Sequence, residues 1–102
     1  MSSRKHPVIL SPAAKADFTD ILLYTLQQWG EDQRDRYETI LTQAIAALAD
    51  YPETGIRCSQ HFPGCRAHPA QRHIVYYRIG PNEIEIVRIL NERTDPTRQF
   101  PG

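Results

Sequence analysis

Hydrophobic positions along this chain follow two different spacings. Ala14, Phe18, Ile21, Leu22, Thr25 and Trp29 recur three or four residues apart, the period of one helix face. Tyr37, Ile40, Leu41, Ala44, Ile45 and Leu48 repeat that template without a gap. Ser11-Pro12 opens the first helix: a serine N-cap accepts orphan N–H bonds, and proline at the first helical position loses nothing. Gly30 stops it, and a second helix runs from Glu31 or Asp32 to about Asp50. Tyr51-Pro52 ends the second, because a residue before proline is pushed out of the α region. So short a connection at Gly30 folds the pair into an antiparallel hairpin.

The remaining apolar runs have strand character. Pro7–Leu10 reads as a first strand. His73–Ile79 and Glu83–Leu90 are rich in Val, Ile and Tyr and flank Gly80-Pro81-Asn82, a hairpin turn. Cys65–Ala70 is a further short strand, confined by Pro69 to an edge or a bulge. Pro52–Gly64 is loop, and Thr94–Gly102 an irregular tail. Strict alternation puts Arg88 on the face of Ile84, Ile86 and Leu90, so either a bulge shifts the phase or both faces are partly covered. The order β-α-α-β-β-β predicts one α+β domain over residues 1–102, an antiparallel sheet packed on one face by the helical hairpin. Two helices cover only one face, so the other is left open.

Composition narrows the class. The chain has 102 residues, 40% hydrophobic and 24% charged, as in folded globular proteins. No apolar run reaches membrane-spanning length, and the opening MSSRKHP lacks a signal peptide's apolar stretch, so a cytoplasmic location is expected. In a reducing cytosol Cys58 and Cys65 would stay thiols. A net charge of zero conceals an asymmetry: residues 1–55 hold five Lys/Arg against eight Asp/Glu, residues 56–102 seven Arg against four. Arginine's planar fork suits phosphate, carboxylate and stacked partners. The alternative is that these arginines only balance the acidic helices.

Several residues carry candidate chemistry. Cleavage of RNA needs a base, an acid and cations; Arg66, Arg78 and Arg88 could supply the cations and His73 or Tyr76 a proton-transfer group. No second general acid follows, since the tail from Thr94 has no His, Tyr or Lys. Cys58, His61, Cys65 and His68 have zinc-ligand types, but the intervals are shorter than in structural sites, and no metal or other cofactor is expected. Tyr24, Trp29 and Tyr37 suit core packing or, at a helix edge, anchoring of a partner helix. Arg88 interrupts an apolar face, so it pairs internally with Asp95 or Glu92 or points at a partner. Arg93 and Arg98 lie beyond the last strand, where a free tail can reach a target.

A set of residues in order spans nearly the whole chain: Leu10-Ser11-Pro12-Ala13-Ala14 with Asp17, Tyr24, Trp29-Gly30, Gln33, Tyr37, Leu48-Ala49, Pro52, Gly55, Arg66, His73–Arg78, and Val87–Leu90 with Arg93 and Asp95. In these the chain resembles the ParE branch of the RelE/ParE toxins of bacterial toxin–antitoxin operons. The resemblance implies a β-α-α-β-β-β toxin neutralised by a ParD-like antitoxin, whose dimeric N-terminal region, not the toxin, binds DNA, and which forms a hetero-oligomer with it. It implies DNA gyrase as target, whereas RelE-type relatives cut messenger RNA on the ribosome. The family often has His at the position of Asn91 and Met at that of Thr94, near the end associated with toxicity. Those departures add Asn91 to the target-binding candidates and keep a third alternative, an inactivated homologue retained as an antitoxin-binding module.

Overall fold

The computed structural model describes residues 6–100. Met1–Lys5 of the opening stretch and the tail's Pro101-Gly102 lie outside them. Strand β1 (Val8–Leu10) leads into α1 (Pro12–Trp29) and α2 (Glu31–Asp50), followed by β2 (Ile56–Arg57), β3 (Arg66–Ala70), β4 (His73–Ile79) and β5 (Ile84–Asn91). The strands form one sheet in the order β1-β5-β4-β3-β2. No helix among the described residues is long and apolar enough to cross a membrane.

The helix boundaries follow from the caps. Ser11 Oγ accepts the Ala14 N–H at 3.0 Å, and Gly30, at φ 92°, takes a backbone shape that side chains resist, so the chain reverses there. The hairpin buries Ala14, Tyr37, Leu41 and Leu48 against Val75, Tyr77, Ile84, Ile86 and Ile89 of the sheet. Leu41, Leu48, Ile84 and Ile86 are fully inaccessible, each contributing roughly 1.5–3 kcal/mol of apolar burial.

Three features depart from the sequence expectation. β1 pairs parallel to β5, Val8 opposite Ile84 through Leu10 opposite Ile86, so the sheet is mixed. A tight turn forces antiparallel pairing only between strands it joins, and β1 reaches the sheet through two helices. The loop after α2 also contributes a strand, β2, opposite Arg66 and Ala67. Pro69 lies past that pairing, where β3 has no further neighbour to miss its N–H. Finally, the second sheet face is not bare: Cys58, Cys65, Tyr76 and Leu90 form a smaller core there with Phe62 and Phe100.

The phase problem in β5 is resolved by a bulge. Tyr76 pairs with Arg88 but Tyr77 with Ile86, leaving Val87 as the extra residue. Ile84 and Ile86 face the helices; after the bulge Ile89 does so, and Arg88 turns to the other side. The Ser11 hydroxyl donates to Val87 O at 2.7 Å, so the helix N-cap also holds the bulge.

Candidate functional site

β1 is only three residues long and pairs no further than Ile86, so the rest of β5 has a free edge. Asp17 of α1 occupies part of it. Its Oδ2 accepts the Ile89 backbone N–H at 2.9 Å, replacing the bond a neighbouring strand would supply. The same carboxylate grips Arg88, with Nε to Oδ2 at 2.7 Å and Nη2 to Oδ1 at 2.9 Å, which holds the guanidinium pKa above its usual value despite partial burial. Asp17 is thus the bolt between α1 and β5. The proposed pairing of Arg88 with Asp95 or Glu92 is thereby replaced.

Beyond Asp17, α1 and β5 diverge and leave a cleft of about 680 Å3. Asp17, Asp20, Ile21 and Tyr24 form its helical wall; Ile89, Asn91, Arg93 and the Arg72-His73 corner form the other. A hollow of about 350 Å3 continues between α1 and α2, lined by Trp29, Gln33 and Tyr37, with Arg72 bordering both. Tyr24 and Trp29 are 61% and 63% exposed although apolar. Tyr24 borders the cleft and Trp29 the hollow between the helices.

Tyr37 behaves differently from the other two aromatics. It is buried, 8% accessible, and its hydroxyl shares a 2.5 Å hydrogen bond with His73 Nδ1 beneath the cleft. Burial holds the Tyr37 phenol pKa above its normal value and the His73 imidazole below its normal value, so both stay neutral at pH 7. Tyr37 therefore supports the cleft floor and joins α2 to β4, with little of its ring left accessible.

Of the five residues weighed for RNA cleavage, Tyr76 packs in the smaller core and the other four do not converge. Arg66 Nη1 donates to the carbonyls of Glu53 and Gly55, each at 3.1 Å, fastening the turn after α2. Arg78 pairs with Glu85 opposite it in β5, Nη2 to Oε1 at 2.7 Å. His73 is bound to Tyr37 and Arg88 to Asp17. By register Arg66 opposes Tyr77 on the helix side, whereas Arg88 opposes Tyr76 on the other.

The target-binding candidates also separate. Asn91 and Arg93 line the large cleft, where Asn91 Oδ1 accepts the Arg93 N–H at 2.9 Å. Arg98 is exposed on a short 3-10 helix, Pro96–Arg98, and is not one of the lining residues. The tail that carries it is docked, contrary to the expected free segment: Gln99 Oε1 accepts from Arg88 Nη1 at 3.2 Å, and Phe100 packs among His61, Phe62 and Tyr76. Cys58 and Cys65 form a disulfide, which corrects the expectation of free thiols. The loop folds back so that Cys58 N–H donates to Cys65 O, bringing the Cα atoms to 5.0 Å. With the sulfurs joined, Cys58 and Cys65 are not free thiolates for a metal, and His61 lies edge-on against Tyr76. No local pattern signals the disulfide geometry, Arg72 as the shared corner of both hollows, or Phe100 as an anchor.

Comparison with known proteins agrees with the architecture. Residues 8–96 match the family described as ParE toxin of type II toxin-antitoxin system, parDE. The chain is 39% identical over 101 residues to Toxin ParE1 of Mycobacterium tuberculosis, covering 98% of this chain and all of that one. It is 36% identical over 86 residues to Toxin ParE1 of Caulobacter vibrioides, covering 84% of this chain and 88% of that one. A solved structure titled Chromosomal ParDE TA system from P. aeruginosa superposes with a TM-score of 0.75 over 87% of this chain and 98% of that one, at 19% identity, a likeness of fold. With these matches spanning almost its full length, the chain belongs to the ParE family of type II toxin–antitoxin toxins.

Proposed function

We propose that this toxin acts in the cytoplasm by binding protein partners: a ParD-like antitoxin that neutralises it and DNA gyrase as its target. The observation that carries the antitoxin half is the cleft between α1 and the free edge of β5, with Tyr24 and Trp29 exposed along its helical side. An extended segment fits the strand edge and an amphipathic segment the aromatic rim, the two common ways a peptide docks on such surfaces. Asp17 and Asp20 on one wall oppose Arg72 and Arg93 on the other, so a partner of mixed charge with acidic groups toward β5 is favoured.

Gyrase is preferred over messenger RNA because Arg66, His73, Arg78 and Arg88 each have an internal partner and lie on different sides of the sheet. Phosphoester cleavage needs such groups gathered round one phosphate. Co-expression with a small ParD-like protein from the neighbouring reading frame, followed by affinity purification, tests the antitoxin half. A stable complex that Trp29→Ala weakens supports it; failure to associate even at low salt contradicts it.

A further inference from the structure

We propose that Cys58–Cys65 is a thiol–disulfide exchange site whose oxidation state controls docking of the C-terminal tail, residues 96–100. Its consequence for target contacts rests on the reading above, but the switch itself does not.

The loop from Cys58 to Cys65 contains no helix or strand. Inside it only a few backbone bonds act: Cys58 N–H to Cys65 O, His61 N–H to Cys58 O and Cys65 N–H to Phe62 O. A covalent link between its ends removes much of the freedom such a loop would have, so its shape depends on the link. That shape presents His61 and Phe62 toward the tail. Phe100 meets both rings, at centroid separations of 5.7 and 5.1 Å, and Tyr76 of the sheet at 5.2 Å. Two of its three ring partners therefore come from the disulfide loop. The other anchors are the Tyr76 side of that cluster and one long hydrogen bond, Arg88 Nη1 to Gln99 Oε1 at 3.2 Å. Within the tail, Asp95 Oδ1 accepts from Thr97 N–H and hydroxyl, which shapes the turn but does not fasten it to the sheet.

Both cysteines are buried, 7% and 1% accessible, and of the two Cys65 is the one that borders a hollow. A hollow of about 260 Å3 opens beside Cys65 between Arg57 and Arg66, and two guanidinium groups there stabilise negative charge developing on sulfur. Exchange with a dithiol is balanced. A reductant thiolate bonds to Cys65 Sγ, the S–S bond breaks, and its electron pair leaves on Cys58 Sγ, which takes a proton. The second reductant thiol then closes the reductant's own disulfide and releases Cys65 as a thiol. The reverse exchange, with a disulfide of the same class, closes the loop again. Opening frees Phe62 and His61 to move, and Phe100 loses two of its three ring contacts, keeping Tyr76. The tail then carries Arg98 on a free segment.

Hydrogen exchange on the full-length protein, air-oxidised and then treated with dithiothreitol, tests this. Thiol counting gives two blocked cysteines before treatment and two free after. The tail amides of Gln99 and Phe100, bonded to Pro96 O, then lose protection about tenfold, the scale of the aromatic contacts released, and trypsin cuts after Arg98 correspondingly faster. Cys58→Ser with Cys65→Ser shows the fast pattern with or without reductant, and Phe100→Ala shows it in both states while keeping the disulfide. Two results overturn the proposal: free thiols in the oxidised protein, or tail protection unchanged after both thiols are released. Neither depends on toxicity or on any partner.

Discussion

Arg88 closes on Asp17 with two hydrogen bonds, at 2.7 and 2.9 Å, across 71 residues of sequence. The side chains are 23% and 14% accessible, so the pair is held mostly out of water. Asp17→Ala strips Arg88 of its counter-charge and Ile89 of its acceptor together. It should cost about 2–3 kcal/mol, and Arg88→Ala, which leaves Asp17 its bond to Ile89, about 1–2 kcal/mol. For a domain of this size that is a fall in Tm of roughly 4–8 °C per kcal/mol, measured by thermal denaturation. The double variant should lose less than the sum. An Arg88→Ala protein with unchanged Tm would mean that the arginine serves a partner instead.

Tyr77 makes a second long-range lock. Its buried hydroxyl donates to Pro52 O at 2.6 Å and accepts the Gly55 N–H at 2.9 Å, pinning the turn after α2. A Cβ at residue 55 would stand 2.5 Å from Tyr77 Oη and 2.8 Å from Cε1. Gly55→Ala should therefore destabilise by about 1–3 kcal/mol, since an inflexible core ring must shift. Tyr77→Phe should cost about 1–2 kcal/mol through the Gly55 N–H left without its acceptor. Pairing Gly55→Ala with Tyr77→Phe should recover part of the loss; strict additivity in denaturant melts would argue against a shared contact.

Stability should depend on pH through His73. Burial holds its folded-state pKa below the ordinary 6.5, so in that interval the unfolded chain binds the extra proton. The stabilisation is complete above 6.5 and is lost as pH falls through the depressed folded value. Denaturant midpoints measured from pH 7.5 down to 5 should fall, and His73→Ala, though less stable at pH 7.5, should show a flatter profile. An equally steep profile in the variant would place the titrating group elsewhere.

The exposed aromatics and the C-terminal arginines should divide two functions. Trp29→Ala or Tyr24→Ala should weaken antitoxin binding by roughly tenfold or more, as for buried interface anchors, while Tm stays within a few degrees. Arg93→Ala with Arg98→Ala should abolish growth inhibition while weakening antitoxin binding much less than loss of an aromatic anchor does, since the rim is untouched and Arg72 remains on the β5 wall. Isothermal titration beside a growth assay separates the effects. Full toxicity in the double arginine variant would reduce both side chains to solvated charge.

Much of this architecture was legible because its determinants are local. The helix faces around Ala14 and Leu41, the Ser11-Pro12 cap, the Gly30 reversal and the strands on either side of Gly80-Pro81-Asn82 depend on spacing and turn chemistry within a few residues. What was not legible depends on pairings distant in sequence. A parallel β1 follows from a crossover and not from a turn, and the Val87 bulge is visible only against Tyr76 and Tyr77 in the neighbouring strand. Asp17 is an ordinary helix-surface acid until Arg88 arrives. At the site, aromatic spacing identified Tyr24, Trp29 and Tyr37 together, but only the fold shows that Tyr37 is turned inward. Phe100 lay in a tail with no periodicity, and its burial depends on a loop that is equally aperiodic.

The most direct measurement is a paired cleavage assay with the purified toxin. One reaction contains gyrase and supercoiled DNA, the other translating ribosomes and messenger RNA. Accumulation of gyrase-dependent double-strand breaks, suppressed by the antitoxin, with transcripts left intact, is the predicted result. Ribosome-dependent cutting of the transcript, lost on His73→Ala and without any effect on gyrase, would contradict a protein-binding toxin and make this chain a nuclease.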